Sequence, residues 1–198
     1  MKVGIIEYGL GNIYSLYSIF NKLNIEYFLS AKKESLEQAD VLLLPGVGAF
    51  GEAMRKLNEL ELVDYIKETE KPLLGICLGM QLLFETGNEG GIAISGLNLV
   101  KGSVNLLKQK KLPNVGFMEI AHSNLDIDIS QKDYYFIHSY SASRCDVDAK
   151  YAIAELGDNK ITAAVQKNNV FGFQFHPELS QNNGIFLFEQ IKKWHLKE

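Results

Sequence analysis

Short apolar runs alternate with longer amphipathic stretches through the first half of the chain. Val3–Ile6 is followed by Ile13–Leu23, Ile25–Leu29 by Glu34–Gln38, Val41–Leu44 by Phe50–Lys67, and Leu73–Ile76 by Leu78–Glu85. Continuous apolar runs of strand length suit strands covered on both faces. Alternating them with helical stretches gives βα units and a parallel sheet. Beyond Gly90 the pattern changes. As far as Phe175 the runs are short, strand-like and separated by Gly, Asn or Asp, and the next long helical pattern is Asn182–His195. This predicts extra, partly antiparallel strands extending the sheet, then a closing helix. The expected fold class is α/β, with an open, largely parallel central sheet flanked by helices and additional antiparallel strands in the C-terminal half. No internal repeat, low-complexity tract or Pro/Gly/Ser linker interrupts the pattern, so residues 1–198 are read as one domain.

Composition narrows the function classes. With 198 residues and 46% apolar content, the chain can bury one substantial core. A net charge of −4 argues against a nucleic-acid partner, because phosphate binding calls for a clustered basic surface. The one basic cluster, Lys108-Gln109-Lys110-Lys111, is read as a solvated loop between strands. Glu7 interrupts the apolar N-terminus before a signal core forms, and no run approaches the roughly 18 residues of a membrane span. A cytoplasmic protein with no membrane partner is expected. Cys77 and Cys145 are then expected to stay reduced, and Cys145, between Arg144 and Asp146, carries no motif. No Cys/His spacing fits zinc ligation, and neither a metal nor a cofactor is expected.

Open α/β sheets bind ligands at the carboxyl ends of their strands. The informative turns fall there: Tyr8-Gly9-Leu10-Gly11-Asn12, Pro45-Gly46-Val47-Gly48 and Gly75–Gly79, with His176 after the strand-like Val170–Phe175. Cys77, in Gly75-Ile76-Cys77-Leu78-Gly79-Met80-Gln81, has the nucleophile-elbow pattern, in which small flanking residues permit a sharp turn that lifts the side chain clear of the sheet. A helix beginning near Leu78 would aim its free N–H groups at the sulfur and favour thiolate. A lone buried cysteine fits an inert core position equally well. The second block, Gln174-Phe175-His176-Pro177-Glu178, shifts the balance, since thiolate chemistry needs a base and a carboxylate that orients it. Extended residues two apart face the same way, so Glu178 is expected to reach the His176 ring. His122, His138 and His195 lack a carboxylate at that spacing; His138, in Phe136-Ile137-His138-Ser139-Tyr140, is the one placed to line a pocket.

Gly46-Val47-Gly48-Ala49-Phe50-Gly51 matches the dinucleotide fingerprint in form, but it follows the third strand, and Glu68 and Glu70 precede the next strand instead of ending it. A loop whose backbone N–H groups stabilise a developing oxyanion is the better use of Gly46, Val47 and Gly48.

Leu44-Pro45-Gly46-Val47-Gly48-Ala49-Phe50, Gly75–Gln81 and Gln174–Glu178 together resemble the three signatures of the triad, or class I, glutamine amidotransferases. Glu7-Tyr8-Gly9-Leu10-Gly11-Asn12 and Phe136–Tyr140 are similar to the glutaminase subunits of imidazole glycerol phosphate synthase, and the resemblance runs from the first strand to the last helix. It implies that Cys77 attacks the side-chain amide of glutamine, giving a thioester and ammonia. His176 would shuttle the proton and Glu178 would orient His176. Oxyanion donors would come from Gly46, Val47, Gly48 and the amide of Leu78, and Gln81, His138, Ser139 and Tyr140 would line the glutamine pocket. The implied partner is a barrel-type cyclase subunit, joined in a heterodimer, that takes the ammonia in histidine biosynthesis. Low activity of the isolated chain, with the partner aligning the loop near Val47, is expected.

Asn12, Phe117, Met118 and Leu179 correspond to partner-facing positions. Two of these regions depart from the family: Gly116-Phe117-Met118 stands where Gly-Trp-Asn is usual, and Leu179 replaces the lysine after His-Pro-Glu. Trp to Phe keeps an aromatic but loses an indole donor, and Lys to Leu removes a charge. An alternative is therefore a paralogous glutaminase that supplies ammonia to an ATP-dependent amidotransferase making amidino sugars for surface glycans. A stand-alone cysteine hydrolase fits Gln81 and the glycine loop less well, and a degenerate scaffold would require a broken triad.

Overall fold

In the computed structural model, residues 1–11, 13–130, 132–157 and 159–196 are described. The βα alternation of the first half is realised as β1 (Lys2–Ile6), α1 (Ile13–Lys22), β2 (Glu26–Ser30), α2 (Lys33–Leu36), β3 (Val41–Leu44), α3 (Phe50–Glu59), α4 (Leu62–Glu68), β4 (Leu73–Ile76) and α5 (Leu78–Leu82). Every residue of β3 and β4 is buried, as expected for strands covered on both faces. The second half adds β5 (Phe84–Glu89), β6 (Ile92–Ser95), β7 (Val100–Leu106), β8 (Asn114–Ser123), β9 (Asp133–His138), β10 (Tyr140–Ala142), β11 (Lys150–Leu156), β12 (Asn159–Lys167) and β13 (Val170–Phe173). A 3₁₀ turn, Pro177–Leu179, and α6 (Gln181–His195) close the chain.

The main sheet runs β2-β1-β3-β4-β13-β12-β11-β8-β9. Its five strands from β2 to β13 are mutually parallel, and each pairing from β13 onward to β9 is antiparallel. One apolar layer packs Leu16, Ile19 and Phe20 of α1 and Leu187, Phe188 and Ile191 of α6 against Phe136, Phe171 and Phe173. The opposite layer holds Ala53, Met54 and Leu57 of α3, Leu62 and Ile66 of α4, and Met80 and Leu82 of α5. Among the described residues, no helix is long and apolar enough to cross a membrane.

Three details differ from the sequence reading. Phe50–Lys67 is two helices, broken at Glu61, whose φ is 56°. Leu57 and Leu62 are both buried, yet their separation does not return to the same face of a continuous helix; the break turns the apolar side of α4 back onto the sheet. The helix predicted to reach Glu85 stops at Leu82, because Phe84 enters strand pairing with Val100. The later strands do not all extend the main sheet either. β10, β7, β5 and β6 form a second, four-stranded sheet, whose Phe84, Val100, Val104 and Ala142 cover the α3–α5 layer. β5 buries only Phe84 and Gly87 and β7 only Val100 and Val104, leaving their other residues partly or fully exposed, as in strands with one wet face.

Asp146 ties the two sheets together. Its side chain is fully buried and accepts from the Lys101 N–H on β7 (2.8 Å), the Lys167 ammonium on β12 (2.8 Å) and the Asp148 N–H (3.1 Å). Burial alone would raise its pKa, but these donors outweigh that and hold the carboxyl below its ordinary value. Asp146→Ala strands an ammonium and two N–H groups, and a loss of about 3 kcal/mol is expected. Urea unfolding is the check: a lower midpoint at unchanged slope supports the assignment, whereas an unchanged midpoint removes Asp146 from the sheet junction.

Candidate active site

Cys77 joins β4 to α5 with φ 52° and ψ −106°, a conformation that costs an L residue about 1–3 kcal/mol. Backbone packing holds it there. The Cys77 N–H donates to the Phe173 carbonyl (2.7 Å), and the Gln81 N–H returns to the Cys77 carbonyl (3.1 Å). The end of β3 crosses so close that a Cβ at Gly79 would stand 1.9 Å from the Leu44 carbonyl oxygen. Tyr8, buried below the crossing, donates its hydroxyl to the Pro45 carbonyl (2.5 Å). Burial first, and the Cys77 sulfur second, raise the Tyr8 pKa, so the hydroxyl stays a donor. With only five residues, α5 has little macrodipole to offer the sulfur, which is a smaller helix contribution than the motif implied.

His176 is buried beyond the end of β13, and its N–H bonds the Tyr135 carbonyl of β9 (2.8 Å). Its Nδ1 lies 2.7 Å from Glu178 Oε1. The route differs from the one expected: Pro177–Leu179 is a 3₁₀ turn, not an extended segment, and the turn curls Glu178 back to the ring. Ser180 fastens the turn, donating to the His176 carbonyl (2.6 Å) and accepting from the Tyr135 N–H (2.9 Å). Burial opposes charging His176, but hydrogen bonds to Cys77 and to Glu178 prevail and push its pKa up to about 10. The carboxylate and the sulfur together favour the charged ring.

Cys77 and His176 open into a cavity of about 350 Å³, with Val47, Gly48, Leu78, Gln81, His138, Ser139, Tyr140 and Leu179 on its walls beside Pro113 and Ile137. Glu178 stands behind His176. Gly46 lies under the elbow, where a Cβ would come within 2.7 Å of the Tyr8 hydroxyl. Gln81 donates to the Tyr140 carbonyl (3.2 Å) and to Gln174 Oε1 (3.0 Å). His138 Nδ1 faces the same Tyr140 carbonyl (2.8 Å) and must carry the proton, which leaves Nε2 to accept from the Asn114 amide (3.2 Å). Burial first, and the neighbouring His176 second, pull the His138 pKa down against the help of the Tyr140 carbonyl.

Phe117 and Met118 are not among the cavity residues. Phe117 is half-exposed on β8, edge-on to Tyr135, and the Met118 sulfur accepts from Asn114 (3.2 Å). Asn12 lies outside the described residues. The loop expected to supply oxyanion donors is turned unexpectedly: the Leu78 N–H points at the Gly46 carbonyl (3.3 Å), so an acceptor occupies one of the anticipated donors. The roles of Gln174, Tyr8 and Asn114 are additions to the sequence reading. Gln174 and His176 both reach Cys77 from two residues apart, the spacing of one face of an extended run, a signal present in the sequence. Asn114 depends on its register opposite His138, which no local pattern encodes.

Among the described residues, no cluster of His, Cys, Asp and Glu could hold a metal. A sulfur nucleophile, a charged imidazole and an orienting carboxylate beside an amide-lined pocket can attack a carbonyl and return a proton to its leaving group. The depressed His138 pKa gives a pH test. Unfolded imidazole takes up a proton near 6.5, and the folded ring resists it, so this contribution to stability is present above 6.5 and is lost as pH falls toward the folded value. His138→Gln should flatten the decline of urea midpoint between about pH 6.5 and 5, against a limiting slope of about 1.4 kcal/mol per pH unit. Parallel declines in both proteins would contradict a buried neutral His138.

The family model described as glutamine amidotransferase class-I matches residues 5–193. The chain is 41% identical to the imidazole glycerol phosphate synthase subunit HisH of Bacillus subtilis (strain 168), over 96% of this chain and 95% of that one. It is 38% identical to a subunit of the same name from Prochlorococcus marinus, over 100% of this chain and 97% of that one. Among solved structures, one described as a glutamine amidotransferase superposes with a TM-score of 0.74 at 20% identity, covering 98% of this chain and 97% of that one. PurLQS from Thermotoga maritima gives 0.70 at 17% identity, over 98% of each chain, a likeness of fold. The chain thus belongs to the class-I glutamine amidotransferases and, within them, to the family of HisH subunits.

Proposed function

We propose that this chain hydrolyses glutamine to glutamate and ammonia and passes the ammonia to a barrel-type cyclase subunit of imidazole glycerol phosphate synthase, as a cytoplasmic heterodimer serving histidine biosynthesis. The observation that carries the reading is the line Cys77–His176–Glu178 beside an amide-lined cavity, in a chain 41% identical to a HisH subunit.

The Cys77 thiolate attacks the amide carbon of glutamine, and the carbonyl oxygen takes the negative charge. The His176 imidazolium gives its proton to the amide nitrogen, the C–N bond breaks, and ammonia leaves a thioester. Water then adds to the thioester while His176 takes up its proton. The C–S bond breaks, glutamate leaves, and the thiolate–imidazolium pair is restored. Glu178 keeps the charged ring in place through its 2.7 Å contact. Gln81, His138, Ser139 and Tyr140 hold the substrate.

The Gly46 carbonyl beside the Leu78 N–H supports gating. In that setting a developing oxyanion meets an acceptor, and turning the Gly46–Val47 peptide would exchange it for the Val47 N–H. Gly48 has φ +108° and open space around it, so the loop has room to turn. Partner binding against half-exposed Val47 is the trigger in this reading. Phe117, Met118 and Leu179 favour one second reading, the amidino-sugar route, in which the same chemistry feeds another acceptor.

Glutamine-dependent imidazole formation with the cyclase subunit from the same source is the expected outcome. Cys77→Ala should abolish it while partner binding is kept. Gain or loss of one oxyanion donor is worth about 10²–10³ in rate, so glutaminase activity should rise by that order when the loaded cyclase is added. Equal turnover with and without the cyclase would overturn the gating. No product and no binding, with a cyclase active on free ammonia, would move the assignment to the other acceptor.

A further inference from the structure

We propose that Gln174 is a catalytic residue that aims one amide N–H at the Cys77 sulfur and shares its other end with the substrate pocket. The proposal deepens the glutaminase reading and rests on it for the role, but not for the geometry.

Gln174 is completely buried just beyond the end of β13, two residues before His176, and both side chains reach Cys77. Its Nε2 is 3.8 Å from Cys77 Sγ, within reach for a sulfur acceptor. The direction of this amide follows from a chain of partners that begins at a group with no choice. The Tyr140 carbonyl can only accept, so the Gln81 atom 3.2 Å away must be nitrogen. The second hydrogen of that nitrogen points to the Gln174 atom 3.0 Å away, which must therefore be oxygen. The remaining end of Gln174, the one against the sulfur, is then its NH₂. His138 Nδ1–H on the same Tyr140 carbonyl fixes that starting point further.

The surroundings of the sulfur give this donor a specific task. The Ile137 carbonyl, 3.7 Å away, accepts from the thiol and favours the protonated form. His176 and Gln174 stand against it as donors, while the Tyr8 hydroxyl is directed to Pro45 instead. Of the two donors, His176 leaves the sulfur to protonate the departing nitrogen. Gln174 cannot titrate and stays, so it steadies the thiolate before attack and after its release from the thioester. Because Gln81 holds the other end of the same amide, a substrate that draws Gln81 moves the donor on the nucleophile.

The test reads the sulfur without glutamine. In a Cys145→Ser background, the rate of iodoacetamide alkylation of Cys77 is followed against pH for the wild type, Gln174→Met and Gln174→Glu, with thermal melts to establish folding. Gln174→Met keeps the unbranched shape and loses the donor. Gln174→Glu keeps the shape and the acceptor that Gln81 requires, and puts an oxygen against the sulfur. Both should move the alkylation midpoint upward, by about one pH unit for Met, equivalent to about tenfold slower alkylation at a pH below both midpoints. The Glu variant should move at least as far. A folded variant of either kind whose profile overlays the wild type overturns the proposal. Loss of folding in both would assign Gln174 to the core and overturn it as well. If the profiles shift while the wild type turns over no glutamine with any cyclase, the glutaminase reading fails and the sulfur contact stands.

Discussion

The site rests on a crossing of two backbones. Where β3 leaves the sheet, its Leu44 carbonyl passes so near Gly79 that no side-chain carbon fits between them, and Gly75 and Gly46 are confined too, though less tightly. This closeness lets α5 start directly beneath the sulfur and forces Cys77 into its positive-φ turn. The strain of that turn is offset locally, by the Phe173 carbonyl on the Cys77 N–H and by burial of every residue in α5. Glycine supplies room here more than flexibility. The positions that need it most, Gly75 and Gly79, do not have positive φ.

Two imidazoles line one cavity in opposite states, and the cause of each is visible. Both are buried, which alone would discharge them. His176 has a carboxylate on one nitrogen and sulfur on its other side, and charge wins. His138 has a backbone carbonyl and a side-chain amide, neither of which is ionic, and burial wins. The two results reinforce one another, because a charged His176 makes a second cation nearby still less favourable. A cavity with one fixed charge and several fixed dipoles is thereby obtained from residues of ordinary pKa.

Much of this is legible in the sequence, for reasons that can be named. Buried parallel strands announce themselves as apolar runs, and the turns after β1, β3 and β4 carry glycines because sharp turns and tight crossings need them. The parts that escape a linear reading are those set by distant pairing. The pattern overextends α5 because Leu82, Leu83 and Phe84 form an apolar run that suits helix and strand alike; pairing of Phe84 with Val100 decides it. The second sheet is invisible for the same reason, since period-two alternation shows a one-sided strand but not its neighbour. Glu178 does meet His176, though through a different local geometry, because a 3₁₀ turn and an extended segment can both bring a carboxylate to that ring.

The same constraints say where the site can move. Gly46 is boxed in by Tyr8, Leu78 and Gly79, and the Cys77 turn is held by Phe173 and by the crossing itself. His176 is clamped to β9 by its own N–H and by Ser180. The pocket amides are chained to the Tyr140 carbonyl. Among the elements lining the cavity, the Val47–Gly48 segment combines surface exposure of Val47 with open space at Gly48. A site held this rigidly for proton transfer can adjust only where packing leaves its backbone free to turn. In this chain the free segment, Val47–Gly48, directly follows the confined Gly46, whose carbonyl faces the Leu78 N–H.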